Sequence, residues 1–299
     1  MRKFAQDMTL TEDTLRRALI RDELIRLSRK ESIGFSLKEG GRSIGFVLIG
    51  KSKWESDHFG FRVDRVRFAS FKNRVDTESR AILIHGSLRR TNSVLTIART
   101  SLEDIRTIQA YESIGGILTD VLLTLRLDLK DKSFSPRIPD GIQIQPAITN
   151  SAHQVAELAK NAFVGTHFHR DPRLHADSCR KLYAKWVFSS LDSGDIMLVA
   201  RKESDTVGFV ASKLIRLGRN QSYGVIDLIA VRDSEKGRRI GESLLKESLR
   251  HLSKSAGSVY VGTQADNIPS LRLYLGVGFK PTIAESTHHI WGKTAHTLS

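Results

Sequence analysis

Residues 225–252 read VIDLIAVRDSEKGRRIGESLLKESLRHL, and this stretch constrains the fold more than any other. An apolar run suited to a buried strand leads into a short polar turn holding Lys236, Gly237, Arg238, Arg239 and Gly241. An amphipathic helix follows, with Ile240, Leu244, Leu245, Leu249 and Leu252 on one stripe. A helix N-terminus offers unpaired backbone N–H groups and a partial positive charge, and glycine lets a ligand approach the backbone closely. The segment therefore predicts a strand–turn–helix site for a phosphate-bearing anion. An ordinary glycine-containing turn before a surface helix is the alternative.

The rest of the chain alternates in the same way. Helices are expected at residues 9–29 (Thr11 as N-cap), 76–88 and 101–114, and strands at 44–49, 93–98 and 117–127. Ser101-Leu102-Glu103-Asp104 resembles a capping box opening the third helix. Residues 128–140, DLKDKSFSPRIPD, carry two prolines and no periodicity, which reads as a linker. The second half reads strand 142–145, helices 151–163 and 176–191, strands 196–200, 206–214 and 223–231, helix 239–252, strand 259–263, helix 268–275 and strand 282–291. The expected class is α/β (α+β), a mixed sheet flanked by helices. A smaller α/β domain over 1–130, a linker over 131–140 and a second domain over 141–299 are expected.

One internal echo stands out. SLEDIRTIQAYESIGG (101–116) can be laid on QADNIPSLRLYLGVGF (264–279), so that Tyr111 meets Tyr274 and Gly115 meets Gly278. Chance similarity of two strand–helix–strand pieces is one reading. The other is an incomplete duplication whose first half lost its ligand site, since no glycine-rich turn precedes the helix at Asp76.

Composition narrows the function classes. With 47 Lys and Arg against 33 Asp and Glu, the formal charge is +14, which argues about partners: nucleic acid, an acidic membrane surface or phosphorylated small molecules. The basic residues are scattered and form no run of five, which weighs against nucleic acid. No stretch approaches the roughly 18 to 20 consecutive apolar residues of a membrane span. The single Cys179 excludes an internal disulfide and a multi-cysteine metal site. With no apolar segment behind the N-terminal basic residues, the expected location is cytoplasmic.

Lys236, Gly237, Arg238, Arg239, Ile240 and Gly241 resemble the acyl-CoA-binding motif of the GNAT superfamily of N-acetyltransferases. Arg239 stands where that family usually has glycine, and its guanidinium is able to make a charge-assisted contact instead. Downstream, Asn267, Ser270, Tyr274, Gly278 and Phe279 fall in place on the family's second motif. The resemblance covers the C-terminal half and implies a GNAT fold, with acetyl-CoA as cosubstrate and no metal. It implies that Lys236 to Gly241, Asn267 and Ser270 contact the cofactor. Backbone N–H groups of Ile229, Ala230 and Val231 would then meet the pantetheine and thioester, and Tyr274 would protonate the departing thiolate. A core tyrosine is the bland reading of Tyr274.

Asp227, a carboxylate among apolar strand residues, either binds the substrate amine or accepts structural hydrogen bonds. His167 and His169 flank Phe168; an HxH pair is able to ligate metal, but no third ligand accompanies it, leaving a substrate pocket or loop structure. Trp54, Glu55, Ser56, Phe59, Gly60 and Phe61, with Phe168, His169, Asp171, Pro172, Leu182, Tyr183 and Trp186, resemble the TDP-fucosamine acetyltransferase type of GNAT protein, with His58 replacing one Phe. That resemblance implies a nucleotide-linked amino sugar as acceptor, for surface polysaccharide synthesis, with His167, His169, Asp171, Tyr183 and Trp186 on the substrate side. Tyr183 and Trp186 are also at helical spacing, as core residues would be. Another amine (peptide, drug or carrier-linked) and a non-catalytic nucleic-acid-binding protein are the alternatives. A homodimer is the commonest arrangement for a soluble oligomer.

Overall fold

The computed structural model describes residues 32–216 and 222–292. The helix expected at 9–29 lies outside the described residues. The chain clusters into two compact units. The N-terminal unit holds 32–122, Arg170–Arg173 and 284–292; the C-terminal unit holds Leu123–His169 and Leu174–Ile283.

The N-terminal unit begins with β1 (Ser32–Glu39), β2 (Arg42–Lys51), α1 (Lys53–Phe59) and β3 (Val63–Phe71). It continues through α2 (Thr77–Leu88), β4 (Leu95–Ser101), α3 (Ile105–Ser113) and the start of β5 (Ile117–Asp128). Its strands run in the order β1-β2-β3-β4, followed by the last part of β11 (Lys280–Trp291). β3 and β4 are parallel and the other pairs antiparallel. Val47, Ile49, Ile84, Ala98, Ala110 and Tyr111 fill its core. β1, α1 and β3 carry no signal in the sequence reading; α1 is a short helix of about two turns ending at Gly60, and β1 alternates on a largely exposed edge. Ser101 does not open α3 as expected. It ends β4, and the cap is Asp104, whose side chain accepts the Thr107 N–H.

The C-terminal unit contains β6 (Gln143–Pro146), α4 (Thr149–Ala162), α5 (Ala176–Asp192), β7 (Ile196–Lys202), β8 (Asp205–Arg216) and β9 (Ser222–Val231). α6 (Ile240–Leu252), β10 (Ser258–Gln264) and α7 (Ile268–Val277) follow. The order of elements is the one expected from the sequence. The strands run β5-β10-β9-β8-β7-β6, with β9 and β10 parallel. Ile240, Leu244, Leu245, Leu249 and Leu252 of α6 are each at most 1% exposed and form one core with Leu125, Val210, Ile226, Val259 and Phe279. Each buried leucine contributes about 2 kcal/mol of transfer free energy, which fixes α6 against the sheet. Residues 129–142 form no helix or strand, yet Leu129 and Phe134 pack on this core and Ser243 Oγ donates to the Arg137 carbonyl at 2.7 Å. Among the described residues no helix is long and apolar enough to cross a membrane.

Candidate active site

Strand pairing creates the site. β9 pairs with β10 only from Tyr223 to Ile226 (opposite Ser258 to Val261) and then runs on to Val231 without it. On its other side β9 stays paired with β8 up to Val231, but the register slips between Ala211↔Leu228 and Ser212↔Ile226. Asp227 is the extra residue of that bulge. Ile229, Ala230 and Val231 thus lie on a strand held rigidly by β8, its opposite edge free of β10. A backbone edge of this kind offers N–H and C=O groups to an amide-bearing ligand.

The turn beyond β9 leads to α6. Gly237 has φ +80°, a left-handed conformation, and a Cβ at Gly241 would stay 3.6 Å from Val231, so the first turn of α6 is open. Arg239 is the N-cap residue, at φ 61°, and no side chain caps the helix. The left-handed backbone explains why glycine suits this position in the family motif. The three basic residues differ in what they have left to offer. Lys236 pairs with Asp233 at 2.5 Å, and Arg238 with Glu235, which Lys202 also reaches at 2.8 Å. These partners hold the Glu235 carboxyl below its usual range, Lys202 contributing most. Arg239 is exposed and makes no ion pair among the described residues, so it carries the uncompensated charge at the uncapped helix end. Open N–H groups, a glycine approach and a free guanidinium fit the phosphates of a CoA thioester.

α7 opens with Asn267, whose Oδ1 accepts the Ser270 N–H at 3.3 Å, a structural cap. Tyr274 lies one face further along α7, 3% exposed, its ring edge-on to Phe279 at 5.7 Å. Burial pushes its phenol above the usual tyrosine range. No protein group hydrogen-bonds its hydroxyl among the described residues, so that hydroxyl keeps its proton and its donor capacity.

Asp227 is 9% exposed in its side chain, with Lys213 Nζ 2.8 Å away. Burial raises its carboxyl, against the opposing pull of Lys213. Lys213, on β8, had no sequence signal, because the pairing depends on register between two strands. The proposed acceptor-side residues divide between the two units. His167 is buried with its ring on Phe168, and His169 Nδ1 lies 2.9 Å from Thr166 Oγ1. Burial, then Arg180, lowers the His169 pKa and favours the neutral ring. Tyr183 is 6% exposed and stacks on Phe163 at 5.0 Å, on Trp186 at 6.0 Å and on His169 at 6.3 Å. Asp171 is 1% exposed in the N-terminal unit. Its Oδ2 lies 2.6 Å from His289 Nδ1 and accepts from Trp291 Nε1 at 2.8 Å, while Oδ1 accepts the Arg173 N–H. These contacts anchor the 170–173 segment to β11. Among the described residues no group of three or more His, Cys, Asp or Glu could hold a metal ion. A cavity of about 540 Å³ lies beside the end of β9, lined by His153, Glu157, Asn161, Val231, Arg232 and Asp233 among others.

The Acetyltransferase (GNAT) family model matches residues 153–279. The chain is 26% identical over 266 residues to the spore coat polysaccharide biosynthesis protein SpsD of Bacillus subtilis (strain 168), covering 87% of this chain and 88% of that protein. It is 31% identical over 206 residues to the mycothiol acetyltransferase of Brachybacterium faecium, covering 67% of this chain and 55% of that protein. Among solved structures, a tandem GNAT protein from the clavulanic acid biosynthesis pathway superposes with TM-score 0.57 at 17% identity, covering 89% of this chain and 86% of that one. A GCN5-related N-acetyltransferase from Sphaerobacter thermophilus gives TM-score 0.59 at 15% identity, over 84% of this chain and 78% of that one. At those identities the likeness speaks for the fold.

Replacing Asp171 with Ala removes the partner of the buried His289 Nδ1 and of the part-buried Trp291 Nε1. It is expected to cost about 3 kcal/mol of unfolding free energy, measured by urea denaturation at pH 7. Burial works to raise the Asp171 carboxyl, but His289, Arg173 and Trp291 outweigh it and hold it below its usual value. A carboxyl lowered by folding contributes its stability above the unfolded pKa, about 3.9, and loses it as pH falls through the lower folded value. The wild-type advantage should therefore shrink below about pH 4.

Proposed function

Because residues 153–279 are a GNAT-family acetyltransferase domain, we propose that this chain transfers the acetyl group of acetyl-CoA to the amino group of a nucleotide-linked amino sugar. The observation that carries the acyl-transfer part is the departure of β9 from β10 after Ile226, leading to the uncapped end of α6. The support for the sugar is the likeness to SpsD, named for spore coat polysaccharide biosynthesis, over most of both chains. The resemblance of the Trp54 and Phe168 segments to amino-sugar acetyltransferases agrees with it.

In this reading the α6 N-terminus and Arg239 hold the phosphates, and the free edge of β9 aligns the pantetheine arm so that its N–H groups face the thioester oxygen. The neutral acceptor amine adds to the thioester carbonyl carbon. The backbone N–H groups stabilise the resulting oxyanion. When the carbon–sulfur bond breaks, Tyr274 gives its proton to the sulfur, and the proton shed by the new amide nitrogen restores the phenol, directly or through water. For unshifted groups of pKa about 10 and 8.5 that transfer costs roughly 2 kcal/mol, and burial, which raises the Tyr274 phenol, adds to that cost. In this reading Asp227, paired with Lys213, binds the acceptor amine. A different small amine is the second reading, favoured by the 31% identity to a mycothiol acetyltransferase.

Thiol release from acetyl-CoA with a panel of dTDP- and UDP-linked amino sugars, peptides and simple amines tests the proposal. Release should be selective for an amino-sugar nucleotide, and Tyr274→Phe should lower kcat by about 100-fold or more. Release only with the other amines would discard the sugar. Because burial raises the Tyr274 phenol, wild-type kcat should show no loss from its ionisation up to about pH 10.

A separate measurement addresses Arg239. Arg239→Gly relieves the left-handed strain and should raise stability by about 1 kcal/mol. It should also weaken CoA binding by about 10-fold and flatten its salt dependence. Unchanged affinity would remove Arg239 from the phosphate site.

A further inference from the structure

The echo between residues 101–116 and 264–279 extends back through the two strands and the helix that precede each stretch. β3 pairs with β4 over four positions, Val63↔Leu95 to Val66↔Ala98, as β9 pairs with β10 over Tyr223↔Ser258 to Ile226↔Val261. Directly after the last pair each strand bulges. Arg67 is the extra residue against β2, between Leu48↔Phe68 and Ile49↔Val66, just as Asp227 is against β8. β3 then runs on to Phe71 beside β2 but without β4, as β9 runs on to Val231 beside β8 but without β10. β4 and β10 are followed by caps of the same kind: Asp104 accepts the Thr107 N–H and Asn267 the Ser270 N–H. Tyr111 and Tyr274 hold the same place in α3 and α7. Gly115 (φ 87°) and Gly278 (φ 102°) follow at positive φ, and the next N–H returns to the tyrosine carbonyl in each, at 2.8 and 3.0 Å. β5 and β11 then run twelve residues each. Chance does not reproduce a bulge, a splay, a cap and a glycine in one order.

The side chains at the mouth of the splay differ. The connection after β3, residues 72–76, lacks glycine and is shorter than 232–239. Where Arg239 leaves α6 uncapped, Asp76 caps α2, its Oδ1 accepting the Ser79 N–H at 2.7 Å. Arg80, 4% exposed, crosses the opening. Its guanidinium lies 4.9 Å from the ring of Phe71 at the end of β3, and reaches Asp104 and Thr107 Oγ1, beyond β4. Tyr111 is fully buried, whereas Tyr274 keeps 3% exposure.

We infer that the N-terminal unit is a second copy of the acyl-CoA-binding architecture closed by its own side chains, with the Asp76 carboxylate in the place of a phosphate. The chain then binds one equivalent of CoA, in the C-terminal unit, and the residue at the helix N-cap decides which copy is open. This rests on the acetyl-CoA reading of the C-terminal site.

Calorimetric titration of the full chain with CoA tests it, together with two variants that install a cap on α6. Wild type should bind one equivalent. Arg239→Asp, which puts a carboxylate at the N-cap position of α6, should weaken binding by about 100-fold without lowering the thermal midpoint. Arg239→Asn, a cap without charge, should weaken it by about 10-fold. Two equivalents in wild type would overturn the inference. So would a single equivalent that survives Arg239→Asp unchanged, because the bound copy would then be the N-terminal one. Equal losses in the Asp and Asn variants would overturn the role of the carboxylate. No CoA binding by wild type would instead overturn the acetyl-CoA reading beneath it.

Discussion

The unpaired edge of β9 after Ile226 is the constraint on which the rest depends. A strand interior to a sheet normally satisfies its backbone on both sides, and leaving one side open costs hydrogen bonds unless water or a ligand replaces them. The bulge at Asp227 uncouples β9 from β10 while β8 holds it from Ser222 to Val231. The open edge is therefore rigid, and an extended ligand with amide groups can complete it as a surrogate strand. Preorganisation of this sort lowers the ordering cost of binding and aims N–H groups where negative charge develops in acyl transfer.

Charge is arranged around that edge with the same economy. The net charge of +14 gives no hint of it, because most of the turn's cations are already matched: Lys236 to Asp233, and Arg238 and Lys202 to Glu235. These pairs order the turn and contribute little net attraction for an anion. On the proposed reading, Arg239 together with the open N–H groups of α6 is left to attract one. A left-handed arginine is a strained choice for a helix boundary, and the free guanidinium is what the strain obtains.

Helix and strand order in the C-terminal half was legible because its signals are local. The α6 stripe and the glycines of the turn each act within a few residues, and they are where the sequence placed them. Asn267, expected to contact the cofactor, was not read as the cap of α7 that it forms. The cap at Asp104 was missed in favour of Ser101, since both suit an N-cap and only the end of β4 decides between them. β3 was missed because Asp64, Arg65 and Arg67 interrupt its apolar run. Long-range partnerships were invisible. Nothing near Asp171 announces His289 and Trp291, more than a hundred residues away, and nothing near Asp227 announces Lys213.

The two copies also separate what a motif says about backbone from what it says about chemistry. A capping Asp or Asn, a tyrosine on the next helix and a glycine at positive φ occur in both units, so those positions report the fold. Tyr111 keeps the place of Tyr274 but is sealed beneath its helix, with a pKa that burial raises. A buried phenol with no route to a ligand is a core side chain, whatever the register implies. On the proposed reading, the residues that separate the two copies are those that leave one open: Gly237, Gly241 and an uncapped Arg239 in place of Asp76 and Arg80. Function here depends less on which groups the fold brings together than on which it declines to fill.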